Sequence, residues 1–290
     1  MDGHIDWLSF TIETDESVPS LRHLAELARR LLREKGSVLY EYVFRASAWN
    51  NGTGRPPFRY AVERGDRGAR IFGGGQLQML LFELTGRGCE GLRDGELAAS
   101  ILGVLGDSIT RFDYAVDVRT GVLPHEFVDR RMHRVFRSIS DIRSDTGQTV
   151  YVGSPKSDRF ARVYRYAPPH PRARLLRIEH VFRRGMARAA VREFINAGGG
   201  QKFEAQLGNT WGWAHPVWQP STRSDEKIRA PIVSREHEDT VLWLYKQVAP
   251  ALRKVHDAGA IDLEDWWKVV FGDYSSDGDP PLEGGEIAPG

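Results

Sequence analysis

Along residues 5–12 apolar and polar side chains alternate, with Leu8, Phe10 and Ile12 on one side of a predicted strand. After Ser20 the spacing becomes helical: Leu21, Leu24, Leu27 and Leu31 recur on one face, and the pattern stops at Gly36. Strand-like stretches follow over 39–44, 59–62 and 78–84, separated by turn signals at Asn50-Asn51-Gly52 and Gly73-Gly74-Gly75. A helix is predicted over 96–105. A second β-rich block opens at Ile109, with strands over 109–118, 149–153, 160–166 and 175–182 and a helix over 125–138. Another helix, over 186–195, ends at Gly198-Gly199-Gly200 and leads into a loop carrying Trp211, Trp213 and Trp218. A long amphipathic helix over 236–257 buries Val241, Leu244, Val248 and Leu252. The pattern predicts an α+β fold of mostly antiparallel sheet with packed helices, in one domain over 1–272. Its two blocks, about 1–106 and 107–272, read as a loosely duplicated strand–helix unit. Residues 273–290, rich in Gly, Pro and acids, read as a disordered tail.

Composition narrows the class. The single cysteine, Cys89, rules out an intrachain disulfide and a cysteine-rich zinc site. The N-terminal residues lack the basic start and apolar run of a signal peptide, and no stretch approaches the ~18 apolar residues of a membrane span. A cytoplasmic protein with no membrane partner is therefore expected. Forty Lys plus Arg against thirty-nine Asp plus Glu give a net charge of +1, so total charge does not announce a nucleic-acid binder. Distribution says more, because residues 159–192 hold ten arginines and a single acid, Glu179. Arginine pairs bidentately with phosphate, so this stretch suits a DNA backbone, although a solvated basic face has the same composition.

The chemistry lies in the polar parity of three strands. Within 111–117, Phe112, Tyr114 and Val116 form the apolar side and leave Arg111, Asp113 and Asp117 on the other. Within 160–166, Arg162, Tyr164 and Tyr166 share a face; within 175–182, Arg177 and Glu179 do. A strand with one solvated face gives this pattern in any single case. If the three strands are neighbours, they pool carboxylates suited to Mg²⁺ or Mn²⁺, arginines suited to phosphoryl oxygens, and a tyrosine able to attack a phosphodiester. No His-hydrophobe-His triplet is present, and His180 falls on the core side beside Ile178 and Phe182. Any metal would rest on carboxylates.

Five ordered stretches carry a family resemblance: residues 5–11 (IDWLSFT), 110–117 (TRFDYAVD), 149–164 (TVYVGSPKSDRFARVY), 176–179 (LRIE) and 243–250 (WLYKQVAP). Together they resemble the replication initiation factors of rolling-circle plasmids and phages, a family that includes relaxases of conjugative elements, over about residues 4–256. The resemblance implies a replication-initiator or relaxase-like fold that nicks origin DNA, single-stranded or supercoiled, stays attached through a 5′-phosphotyrosine and rejoins the ends. It implies Tyr164 as nucleophile with Arg162 and Arg177 as catalytic arginines, and Asp113, Asp117 and Glu179 as ligands of Mg²⁺ or Mn²⁺. DNA contacts are expected at Arg111, Lys156, Arg159 and Arg165. A homodimer and a host helicase are further partners the resemblance allows.

One departure matters. The family usually continues after the tyrosine with an acid and a lysine, whereas this chain has Arg165-Tyr166-Ala167-Pro168-Pro169. Arg165 or Lys156 then has to replace the missing cation, and Tyr166 stands as a second candidate nucleophile. The alternative reading is a non-catalytic DNA-binding replication protein that retains the fold. The tryptophans at 211, 213 and 218 could stack unpaired bases, but packing onto the domain is the expected role.

Overall fold

A computed structural model describes residues 2–44, 48–75, 77–93, 95–128, 138–170, 172–213, 218, 227–229 and 249–259. The chain divides into two compact units, Met1–Pro231 and Ile232–Gly290. In the second unit the described element is one helix, α7 (Ala249–Asp257). The rest of the helix predicted over 236–257, and the tail from 273, lie outside the described residues, as does most of the helix predicted over 125–138.

The first unit is built on one ten-stranded sheet in which every neighbouring pair is antiparallel. Its strands are β1 (Asp2–Glu13), β2 (Trp49–Gly52), β3 (Phe58–Arg64), β4 (Ala69–Gly75), β5 (Met79–Thr85), β6 (Ile109–Arg119), β7 (Ile139–Ser144), β8 (Gly147–Val152), β9 (Arg159–Tyr166) and β10 (Leu175–Arg183). Their order is β2-β3-β4-β5-β1-β6-β10-β9-β8-β7. Each half therefore starts with a central strand and follows it with a four-strand meander whose last member returns beside the first. The α+β class and the antiparallel sheet are as the pattern predicts.

The helices are α1 (Leu21–Lys35), α2 (Ser37–Val43), α3 (Gly95–Leu105), α4 (Pro124–Phe127), α5 (Arg184–Asn196) and α6 (Gly200–Trp211). Ser20 caps α1 by accepting from the His23 backbone N–H at 3.2 Å. α1 packs on β3 and β4, α5 on β6 and β10, α4 on β8 and β9, and α6 on β1. They cover the apolar parity of the strands, where Leu8, Phe10, Phe112, Tyr114, Ile178 and Phe182 are buried in one continuous core. Phe112 and Tyr114 meet Phe194 and Phe203 of α5 and α6 at ring separations of 5.1–6.2 Å. With the helices on one side, the other side of β1, β6, β10 and β9 is left to the polar parity.

Several local expectations change. Residues 39–43 form the end of helix α2 rather than a strand, with Phe44 as its C-cap, because Leu39, Tyr42 and Val43 bury at helical spacing. Asn50-Asn51-Gly52 is not a turn but edge strand β2, paired with residues 61–63. Gly73 lies inside β4, where an added Cβ would stand 2.6 Å from Leu80 and 2.7 Å from Leu24. Glycine is there for close packing of helix on sheet. Strand β7 and helix α6 were not foreseen. Trp211, Trp213 and Trp218 are buried around His180, whose Nε2 accepts from Trp213 Nε1 at 2.9 Å, so their role is packing. Among the described residues no helix is long and apolar enough to cross a membrane.

Candidate active-site face

Registry across four adjacent strands arranges the polar side chains in rows. One row runs Trp7, Asp113, Val181, Phe160; the next runs His4, Ala115, Glu179, Arg162; the third runs Asp2, Asp117, Arg177, Tyr164. The three strands whose adjacency the sequence left open are thus neighbours. Asp113, Asp117, Glu179, Arg162, Arg177 and Tyr164 share one face.

Each acid is held by a different arginine. Arg111 donates to both oxygens of Asp113, at 2.9 and 2.5 Å, and Arg162 pairs with Glu179 Oε1. Arg177 donates Nε and Nη2 to the two oxygens of Asp117, both at 2.7 Å, and Nη1 to Asp6 at 3.3 Å. Asp113 and Glu179 are almost fully buried, and Glu179 Oε2 has no hydrogen-bond partner among the described residues. Burial, with Glu179 adding its charge, raises the Asp113 pKa to about 7 despite the opposing Arg111. Burial also pushes Asp117 upward, but Arg177 outweighs it and holds that carboxyl below its usual value.

Tyr164 lies opposite Arg177 on the paired strand. Burial first, then Glu179, drives its pKa well above the ordinary phenol value; Arg177 is the cation that pulls the other way. Arg162, two residues away, is engaged with Glu179, and against burial the Tyr164 charge is among the influences that raise its pKa. Tyr166 sits one step further along β9, edge-on to Tyr164 at 5.6 Å and stacked on His170 at 3.9 Å.

The expected DNA contacts divide. Arg111 lies on this face, with its guanidinium 3.9 Å from the Trp7 ring centroid. Lys156 is exposed in the β8–β9 turn. Arg165 has the opposite parity to Tyr164 and donates to the carbonyls of Thr120 and Gly121, so the structure does not bring it to the tyrosine. Arg159 also has the other parity and lines a cavity of about 600 Å³ with Met186, Thr210 and Ile228.

Asp6, His4 and Trp7 are members of the face that sequence reasoning missed. Asp6 has the parity of Leu8 and Phe10, which places it in the core under strict alternation. A bulge between Ile5 and Trp7 reverses that parity. The signal was the spacing of Ile5 and Leu8, both buried yet three residues apart. His4 is buried, and its Nε2 stands 3.8 Å from Asp6; burial and Arg177 lower its pKa.

Among the described residues no three His, Cys, Asp or Glu side chains converge to hold a metal. Asp117 has both oxygens taken by Arg177, and Asp113 has both taken by Arg111. Asp113 and Glu179 lie one row apart on neighbouring strands, and the orphaned buried Oε2 of Glu179 is an oxygen donor of the kind a hard cation takes.

Fold and face together define an antiparallel α+β protein whose polar sheet face joins a tyrosine to arginine–carboxylate pairs. No protein-family model matches the chain, and no curated protein sequence matches it. Among solved structures, it is similar to a rolling-circle replication initiator protein from Geobacillus stearothermophilus. That likeness has 19% identity and a TM-score of 0.47, and covers 67% of this chain and 79% of the other. A second similar structure is DynU16, of the dynemicin biosynthetic locus. It has 11% identity and a TM-score of 0.17, with 60% of this chain and 86% of the other covered.

Proposed function

We propose that the protein nicks and rejoins DNA strands in the manner of a rolling-circle replication initiator, with Tyr164 as nucleophile. The observation that supports this most directly is the placement of Tyr164 opposite Arg177, which Asp117 and Asp6 orient from behind. A guanidinium fixed on two carboxylates presents its charge at one place, where a phosphoryl group approached by the phenol would lie. In the reaction the phenol oxygen forms a bond to phosphorus and the bond from phosphorus to the 3′ oxygen breaks. The proton leaves the phenol and, in net terms, reaches the 3′ oxygen. The product ester is as reversible as the bond it replaced, so the same face can rejoin the strand.

Asp113 and Glu179 are the side chains that would hold Mg²⁺ or Mn²⁺, which when bound polarises phosphodiester oxygens. Asp117 acts as a positioning residue for Arg177. Tyr164 makes the better nucleophile than Tyr166, whose ring is occupied by His170.

Incubated with single-stranded or supercoiled DNA of the encoding element and Mg²⁺ or Mn²⁺, the protein should form an SDS-resistant adduct on the 5′ end. Tyr164→Phe should eliminate the adduct and Tyr166→Phe should leave it. An adduct mapping to Tyr166 would overturn the assignment. One observation favours a second reading, a DNA-binding protein without catalysis: all three acids are already paired with arginines. That reading takes over if DNA binds and no adduct forms with either metal.

A further inference from the structure

Away from Tyr164, the same sheet face carries a second pattern that the nicking chemistry does not use. Arg111 lies on the ring of Trp7, 3.9 Å from its centroid, and Trp7 is fixed from the side by its Nε1 bond to Ser9 Oγ at 2.6 Å. On the next strand pair, Arg183 lies over Phe160 at 5.1 Å, and Phe160 meets Tyr151 at 6.4 Å. The strands follow one another as β1, β6, β10, β9 and β8, so the groups run across the sheet in the order Trp7, Arg111, Arg183, Phe160, Tyr151, a central guanidinium pair flanked by aromatic rings, with Phe160 buried beneath Arg183.

Two features of this row suit an anionic, flat partner. Arg111 and Arg183 are direct cross-strand partners, an arrangement of like charges that costs stability unless something anionic offsets it. Burial and the charge of Arg111 both press the Arg183 pKa down. Asp113 answers Arg111 from within the sheet, whereas Arg183 spends Nη1 on the carbonyl of Pro155 at 2.7 Å, in the turn that also carries Lys156. A guanidinium lying on an aromatic ring is held flat, and a flat guanidinium can stack a nucleobase as well as pair with a phosphate.

We propose that this row is a stacking track for unpaired DNA, holding the strand that Tyr164 attacks. The proposal rests on the nicking reading above and extends it from the reacting phosphate to the bases beside it. Phe160 precedes Tyr164 by four residues on the same strand, which separates track and nucleophile by about 13 Å. At ~3.4 Å per stacked nucleotide that is a span of about four bases. The partner is single-stranded DNA and not duplex, because a sheet face meets exposed bases only where they are unpaired.

The test uses the full chain carrying Tyr164→Phe, so that binding is read without chemistry. Labelled oligothymidylate, an abasic strand of equal length, a duplex and oligouridylate are titrated by fluorescence anisotropy. Trp7→Leu and Arg183→Ala should each weaken oligothymidylate binding about five- to 150-fold. Arg183→Ala should also reduce the salt-dependence slope by about one, whereas Arg183→Lys should keep the slope and still lose affinity. The abasic strand should bind more weakly to the parent protein and not respond to Trp7→Leu. Unchanged unfolding midpoints would show that the variants are folded; if Trp7→Leu does not fold, the comparison of Arg183→Lys with Arg183→Ala decides alone. The track is overturned if the folded variants bind like the parent, or if duplex or oligouridylate binds as tightly as oligothymidylate. Loss of binding in these variants with no adduct at Tyr164 in the otherwise native protein would keep the track and discard nicking. Intact binding with an adduct would do the reverse.

Discussion

Arg177 shows how one side chain can be both structural and chemical. It is almost buried, and its charge is tolerable because Asp117 takes two of its N–H donors and Asp6 a third. Asp117→Ala should therefore destabilise the fold by up to about 3–5 kcal/mol in urea unfolding, since it removes the bidentate partner and leaves the guanidinium only its longer bond to Asp6. It should also slow nicking with little change in metal affinity. Glu179→Gln should do the opposite, sparing Arg177 but abolishing tight Mn²⁺ binding measured by calorimetry. If Asp117→Asn removes Mn²⁺ binding as completely as Glu179→Gln, the two acids share the ion and Asp117 is a ligand and not only a positioning residue. Strand parity made Asp117, Glu179 and Arg177 legible as residues of one face. It could not show which acid each arginine would take, because that depends on strand order and register: Arg177 and Arg162 take the acids directly opposite them on the neighbouring strand, whereas Arg111 takes the acid two residues along its own.

At the scale of elements, alternation read well wherever a strand was regular and failed where backbone geometry broke the period. β9, β10 and residues 111–117 of β6 follow their predicted parity, and they carry the carboxylates and Tyr164. β1 does not, and the bulge that displaces Asp6 hid a partner of Arg177. Short edge strands such as β2 were illegible for a different reason: their Asn and Gly residues carry a turn composition, and only pairing with β3 makes them strand. The underside of β10 was legible, since His180 falls between Ile178 and Phe182 and is buried as expected. Its pKa falls to about 3 because burial disfavours the charged ring. An unfolded chain takes that proton near 6.5, so between about pH 6.5 and 3 the unfolded state binds one more proton than the folded one. Stability should accordingly be lost as pH falls through this window, by a few kcal/mol from this group. His180→Gln, which keeps an acceptor for Trp213, should flatten the decline in unfolding free energy measured from pH 6.5 to 4. An equally steep decline in the variant would assign the acid sensitivity to another group.

The first unit repeats one strand plan twice, and the residues of the proposed tyrosine site all fall in the second half apart from Asp6. In the second half Glu179 stands between Ala115 and Arg162; in the first, Glu83 stands between Ser9 and Arg70. One row further on, Asp117, Arg177 and Tyr164 correspond to Thr11, Leu81 and Phe72. The first half thus keeps a buried acid, Glu83, paired with Arg55, but has lost the phenol, the guanidinium and the carboxylate that orients it. Phe72 is instead packed with Phe58 and Ala61 in a small apolar cluster of its own. The sequence pattern hinted at two strand–helix blocks; the equivalence of individual residues became visible only from the registry of ten strands. On the proposed reading, one site per chain sets the stoichiometry of the covalent step. With labelled single-stranded DNA in excess, the SDS-resistant adduct should saturate at one strand per chain, and Tyr164→Phe should bring it to zero and not to one half. Phe72→Tyr should add no second adduct, because the new phenol would face Leu81 where Tyr164 faces Arg177. Two strands bound per chain, or a residual adduct in Tyr164→Phe, would mean that the first half retains chemistry of its own.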